Sequence, residues 1–313
     1  MALAGDIIPS RLFWEGTILL TAILLASAAA PSTVQADRCA SREAPADQGA
    51  IAYRDCGHGL PVLIIPGGPG LDAEYIAPVA RMITAMHRRA ILIEPRGTGA
   101  SRAAIGDGSR LTVAGSIADV EAVRRASGAD KVVLIGHSFG GGVAQAYAAA
   151  FPDRVAGLVL LDSTGPDMQP SKVPLDSWRK RATPEELHRY DAARAAGNKV
   201  AAMRLKFRIG FYHRQRGEAF DAALKDSAIH SDVGRLSDDY ARNYHIAPLG
   251  SAGFPITIIA GDIDWIRGHE PELKATYPMA RSITVRHAGH FPWADSPAAF
   301  SDALRQALAP NGK

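Results

Sequence analysis

The 313-residue chain has 47% hydrophobic and 21% charged residues, a globular balance that excludes a disordered polymer. Its 30 glycines and 20 prolines follow no period, which excludes collagen-like and low-complexity chains. Lys+Arg 35 against Asp+Glu 32 leaves a net charge of +3 with the basic residues scattered, so nucleic acid is not an expected partner.

Residues 17–30 read TILLTAILLASAAA. This uncharged run is short for a membrane span of about 20 residues but suits a secretory apolar segment of roughly 7–15. Arg11 precedes it, diluted by Asp6 and Glu15, and Val34-Gln35-Ala36 offers a small-x-small cleavage site. Residues 1–36 are therefore read as a signal peptide, with a periplasmic or secreted mature chain; the alternative is an uncleaved N-terminal anchor. The only cysteines, Cys39 and Cys56, both follow the cleavage point. Export would let them form a disulfide pinning the mature N-terminus to the first hairpin, and their spacing makes no zinc ligand set.

Short strands are predicted at Ile51–Asp55 and Val62–Ile65, around the turn Gly57-His58-Gly59, and at Ala90–Glu94. A helix follows over 116–126. Strand KVVLI (Lys131–Ile135) runs straight into a helix from Ser138 to about Phe151, stopped by Pro152. Further strands are predicted at Val155–Leu161, Ile256–Ala260 and Ser282–Val285, and a last helix has Ser296 as N-cap, Pro297 at its first position and its end near Leu308. Alternating strands and helices imply an α/β class with a mostly parallel sheet and helices on both faces. Residues 164–250 break the rhythm with charged helical patterns and no strong strand. They are read as a helical cap (lid) inserted into a core of 37–163 and 251–313, at the end of the sheet where such folds bind ligands.

The chemistry is concentrated in Gly136-His137-Ser138-Phe139-Gly140, a G-x-S-x-G between a strand and a helix. In that context the glycines allow a tight turn that lifts Ser138 Oγ out of the sheet's end. Outside it, Ser138 would be a plain helix N-cap. A serine hydroxyl needs a base and a group that orients the base, in the chain order Ser, acid, His. His290 is the base candidate, since Gly289 gives its loop freedom, and His287 reads as structural. Asp264, just past strand ITIIA, is favoured as the acid over Asp262, which would otherwise be a loop-stabilising carboxylate. Oxyanion donors are sought in the backbone N–H groups of Phe139 and of Gly68, within Pro66-Gly67-Gly68-Pro69-Gly70.

These residues resemble the α/β-hydrolase superfamily and, within it, the proline iminopeptidase-like (S33 peptidase) branch, from about Ile51 to Leu308. The carriers are PGGPG at 66–70, EPRGTGAS at 94–101, GHSFGG at 136–141, GDID at 261–264 and AGHFPW at 288–293. The resemblance implies the α/β-hydrolase fold, with nucleophile Ser138, acid Asp264 and base His290. Pro66 stands where the family usually has histidine, and Glu94 where it has aspartate. The implied activity is a serine hydrolase releasing N-terminal proline or similar residues from peptides. The alternatives are a carboxylesterase or lactonase on small esters and a non-catalytic ligand-binding homologue. An aminopeptidase needs a carboxylate for the free ammonium, and the cap offers Glu185, Glu186, Glu218, Asp238 and Asp239. Trp178, Phe207, Phe211, Tyr212, Tyr240 and Tyr244 are available to line a pocket or to pack the cap. No nucleotide, metal or flavin signature is present, so no cofactor is expected; the expected partner is a small molecule or short peptide.

Overall fold

Aliphatic runs such as PVLII, VVLIGH and VAGLVLL are apolar on both pleat faces, and only a sheet covered on both sides buries them. The computed structural model describes residues 39–167, 177–247 and 252–309, all within one unit, Gln35–Lys313; the expected signal peptide lies outside the described residues. In chain order the strands are β1 (Cys39–Ala46), β2 (Gly49–Cys56), β3 (Pro61–Ile65), β4 (Arg89–Ile93), β5 (Val132–His137), β6 (Val155–Leu161), β7 (Ile256–Gly261) and β8 (Arg281–Val285). They form one sheet of order β1-β2-β4-β3-β5-β6-β7-β8. β2 is antiparallel to both β1 and β4, and every pairing from β4 to β8 is parallel.

The helices are α1 (Ala77–Ala85), α2 (Val113–Ala126), α3 (Phe139–Ala150), α4 (Pro184–Ala195), α5 (Lys199–Ile209), α6 (Arg214–Ala223), α7 (Gly234–Asn243), α8 (Glu270–Thr276), α9 (Pro292–Asp295) and α10 (Pro297–Leu308). Alternate strand residues serve two cores. Ile64, Leu92, Ile135 and Ile259 pack with Ile83 of α1 and Phe300 and Leu304 of α10. Leu63, Ile91, Leu134 and Ile258 pack with Val123 of α2 and Tyr147 of α3. Each fully buried aliphatic side chain of this kind contributes about 1.5–3 kcal/mol, so the period of two holds the sheet between its helical layers.

β1 was not foreseen. CASREAPA has no apolar alternation, and Ala44 is its one fully buried residue. It is a charged, proline-bearing edge strand, a composition that discourages edge-to-edge pairing. Cys39 and Cys56 are register partners at the open end of the β1–β2 hairpin, and a disulfide joins them. β2 and β3 flank the turn at Gly57–Gly59 but do not pair with each other, because β4 lies between them. α2 starts three residues before its expected position, since Thr112 Oγ1 accepts the Gly115 N–H at 2.9 Å and caps an earlier turn. Ser296 stands at the N-cap of α10, yet its hydroxyl donates to the His287 carbonyl at 2.7 Å rather than accepting from the helix.

Between β6 and β7 the described chain is helical, α4 to α7. The Thr183–Glu186 capping box starts α4, and Asn198 caps α5. No helix among the described residues is long and apolar enough to cross a membrane.

Candidate active site

Ser138 links β5 to α3 with φ +55° and ψ −122°, a conformation that a non-glycine residue adopts only under constraint. The constraint is visible. Ser138 N–H donates to the Leu161 carbonyl (3.0 Å), and its carbonyl accepts from Gly141 (2.9 Å) and Thr164 (3.1 Å). A Cβ at Gly136 would lie 2.4 Å from the Gly140 carbonyl oxygen, and one at Gly140 would lie 2.3 Å from those of Ile65 and Pro66. These glycines therefore let the elbow pack against the β3 loop. The serine itself stays half-buried rather than sealed.

His290 follows β8 and Asp264 follows β7. His290 Nδ1 and Asp264 Oδ1 are 2.8 Å apart, with the residues only 3% and 6% exposed. The Nδ1–H therefore donates to the carboxylate, and Nε2 is left on the opposite side of the ring. Ser138 and His290 line one cavity of about 290 Å³ together with Gly68, Leu71, Phe207, Trp265 and Phe291. Trp265 lies against the imidazole with ring centroids 4.1 Å apart. Gly289 serves space rather than freedom: a Cβ there would sit 1.8 Å from the Gly210 carbonyl oxygen of the cap. Asp262 holds the loop instead, accepting from the His287 (3.0 Å) and Ala288 (3.1 Å) amides. His287 is exposed.

Phe139 opens α3, so its N–H has no intrahelical acceptor. Gly68, at φ +127°, lines the same cavity, whereas the neighbouring Gly67 N–H is taken by Tyr75 Oη at 2.6 Å. Neither the Phe139 nor the Gly68 amide finds an acceptor among the described residues. Glu94 ties the adjoining loops, accepting from the Ala73 amide (2.9 Å) and the Thr98 hydroxyl (3.1 Å). Burial raises its carboxyl above the usual range.

Several groups at the site escaped sequence reasoning. His137, the variable position of the serine motif, has Nε2 2.9 Å from the His290 carbonyl and Nδ1 2.8 Å from Tyr75 Oη. Burial keeps its pKa well below the ordinary value, so the ring is neutral at neutral pH. A carbonyl can only accept, so Nε2 carries the proton and Nδ1 accepts from Tyr75. The resulting chain, Gly67 N–H to Tyr75 to His137 to the His290 carbonyl, locks the β3 loop and the histidine loop together. Asp162 follows β6 and accepts from Gly261 N–H at 2.8 Å. Burial, and then the Asp264 charge beside it, push its pKa well above the ordinary value. Among the described residues, Oδ2 of each aspartate is buried without a partner, and the two carboxyls lie close enough for the charge of one to act on the other. A proton on Asp162 donated to Asp264 satisfies both. A carboxylate immediately after a strand was the available signal, but LLDST looks like any strand end.

Of the aromatics between β6 and β7, Tyr190 and Phe207 line the cavity; Trp178, Phe211, Tyr240 and Tyr244 are buried packing residues, and Tyr212 is exposed. None of the five cap carboxylates lines it. Glu186 closes its capping box and pairs with Arg214, and Asp239 accepts from the Val113 amide.

A family model described as alpha/beta hydrolase fold matches residues 61–297. Among curated proteins, the 1-acylglycerol-3-phosphate O-acyltransferase ABHD5 of Sus scrofa is 26% identical over 212 residues, 61% of this chain and 61% of that protein. An esterase from Rhodococcus sp. ECU1013 superposes with a TM-score of 0.66 at 22% identity, covering 87% of this chain and 99% of the other. A proline iminopeptidase from Mycobacterium smegmatis gives 0.64 at 18% identity, covering 85% and 97%. At these identities the solved structures show the shared fold. The chain spans about 61% of the length of that curated relative.

Proposed function

The chain belongs to the α/β-hydrolase fold family, and on that premise we propose that it is a serine hydrolase working through an acyl-enzyme. The observation that carries this reading is a constrained, half-buried serine sharing one cavity with an imidazole whose far nitrogen is bonded to a buried carboxylate. His290 Nε2 takes the Ser138 proton as Oγ attacks the acyl carbon. Asp264 holds the tautomer and the developing imidazolium, and Phe139 and Gly68 N–H receive the oxyanion. His290 then protonates the leaving group, and water, deprotonated by the same ring, releases the acid.

A small ester or lactone suits the cavity better than a peptide with an N-terminal proline, because no carboxylate among the described residues lines it to hold a free ammonium. A volume of about 290 Å³ lies at the small end of ligand sites, which typically span roughly 300–1,000 Å³. The curated relative is named for acyl transfer to oxygen, the same chemistry up to the acceptor. A short-chain 4-nitrophenyl ester should be turned over faster than proline 4-nitroanilide. The reverse order restores the peptidase reading, and inertness to both supports a non-catalytic binding protein. Export of the mature chain is part of the proposal, and the Cys39–Cys56 bridge supports it through the compartments in which disulfides persist.

Asp162 has a checkable place in this scheme. Asp162→Asn keeps a permanent donor toward Asp264 and should hold kcat within about fivefold. Asp162→Ala leaves Asp264 Oδ2 unpaired, a loss of about 1–3 kcal/mol, and should lower kcat on the order of tenfold or more with KM little changed. Steady-state kinetics with a parallel melting curve separates this effect from loss of fold.

A further inference from the structure

The cavity that holds Ser138 and His290 is lined by Arg194 of α4 and by Lys199 and Lys206 of α5, and by no aspartate or glutamate among the described residues. Several other arginines of this helical segment are ion-paired. Arg179 pairs with Asp191, Arg204 with Asp221 and Asp226, and Arg214 with Glu186. The three cavity cations have no ion-pair partner among the described residues. Lys206 is the innermost of them. Its ammonium lies 4.9 Å from the Trp265 ring centroid, and the same indole also lies against the His290 ring. Arg194 and Lys199 are exposed, whereas Lys206 is half-buried.

An ammonium partly withdrawn from water without a counter-charge is unfavourable, and a cation–π contact recovers only part of the lost hydration. A cavity lined by three cations and by no carboxylate among the described residues is matched to a ligand that brings negative charge. We infer that the acyl substrate is anionic, carrying a carboxylate or phosphate that Lys206 receives one indole away from the reacting carbonyl, with Arg194 and Lys199 drawing it in. The inference rests on the hydrolase reading for which bond is cleaved, but not for what the cavity binds. Lys206 is a specificity residue rather than a catalytic one. Its charge is remote from the reacting atoms, so it binds ground and transition states alike and acts through KM.

The test compares 4-nitrophenyl monoesters of dicarboxylic acids, from glutaric to suberic, with the same esters methyl-capped at the far carboxyl. For the wild-type chain near pH 6.5, kcat/KM should favour the anionic member of at least one pair by tenfold or more, chiefly through KM. Lys206→Met should cut that ratio several-fold, combining it with Arg194→Gln and Lys199→Gln should bring it to about one, and Lys206→Arg should preserve it. Burial lowers the Lys206 pKa to about 8. Asp264, His290 and His137 from the core, Tyr190 and Arg194 of α4, and Lys199 of its own helix are the titratable groups around it. The ratio should therefore fall as the pH rises through about 8, where Lys206 loses its proton. Equal rates for capped and uncapped esters, or a preference untouched by Lys206→Met, overturn the inference. If no ester turns over, calorimetric binding of monomethyl against dimethyl adipate to Ser138→Ala decides the anion preference by itself. A preference there, without turnover, means that only the hydrolase reading has failed; no preference overturns the inference.

Discussion

Ser138→Ala should lower ester turnover by about 10⁴-fold or more, to the level left by binding and oxyanion donors alone. The elbow's conformation is imposed by its surroundings: the Leu161 carbonyl, the Gly141 and Thr164 amides, and the close approach of Gly136 and Gly140 to neighbouring backbone. None of these involves the hydroxyl. Alanine meets the same φ of +55° as serine, so the melting temperature should barely move. A variant that folds normally and has lost its chemistry is the signature of a nucleophile. A comparable loss accompanied by unfolding would instead place the serine among structural residues.

Asp264→Asn and Asp262→Asn should part company by about three orders of magnitude. Asparagine at 264 can offer its NH₂ to His290 Nδ1, which then accepts instead of donating and moves the proton to the nitrogen that must take one from serine; losses near 10⁴-fold in kcat follow from such a tautomer reversal. The Asp262 carboxylate accepts from the amides of His287 and Ala288. An asparagine there keeps one acceptor, so the cost should be about 1–2 kcal/mol of stability and less than tenfold in kcat. Steady-state kinetics of both variants, beside their melting curves, checks the pair. Similar losses in kcat would leave the orienting carboxylate unassigned.

The parts of this molecule legible in its sequence are those where one local rule dominates. VVLIGHSFGG combines an apolar strand, glycines at the points of close approach and a serine in one stretch of chain, so the strand, the turn and the helix follow together. The candidate carboxylates and histidines could be found because they fall just after strands. What stayed hidden depends on long-range packing. β1 is polar and is held by hairpin pairing and a disulfide rather than by an apolar face. Asp162 gains its importance only when the end of β6 is set beside the loop after β7. His137 and Tyr75 are 62 residues apart and become one hydrogen-bonded chain only in the fold. The charge of the cavity was equally illegible. KVAAMRLKFRI distributes its cations around a helix, and pairing with Asp221 and Asp226 decides that Arg204 is neutralised, whereas Lys206 faces the cavity with no ion-pair partner among the described residues.

Reaction of the chain with a fluorophosphonate, followed by peptide mapping, addresses the nucleophile itself. One adduct on Ser138, formed by the wild-type chain, much slower in His290→Ala and absent from Ser138→Ala, is the expected outcome. A folded wild-type chain that stays unlabelled, or that carries its adduct on another residue, would contradict it.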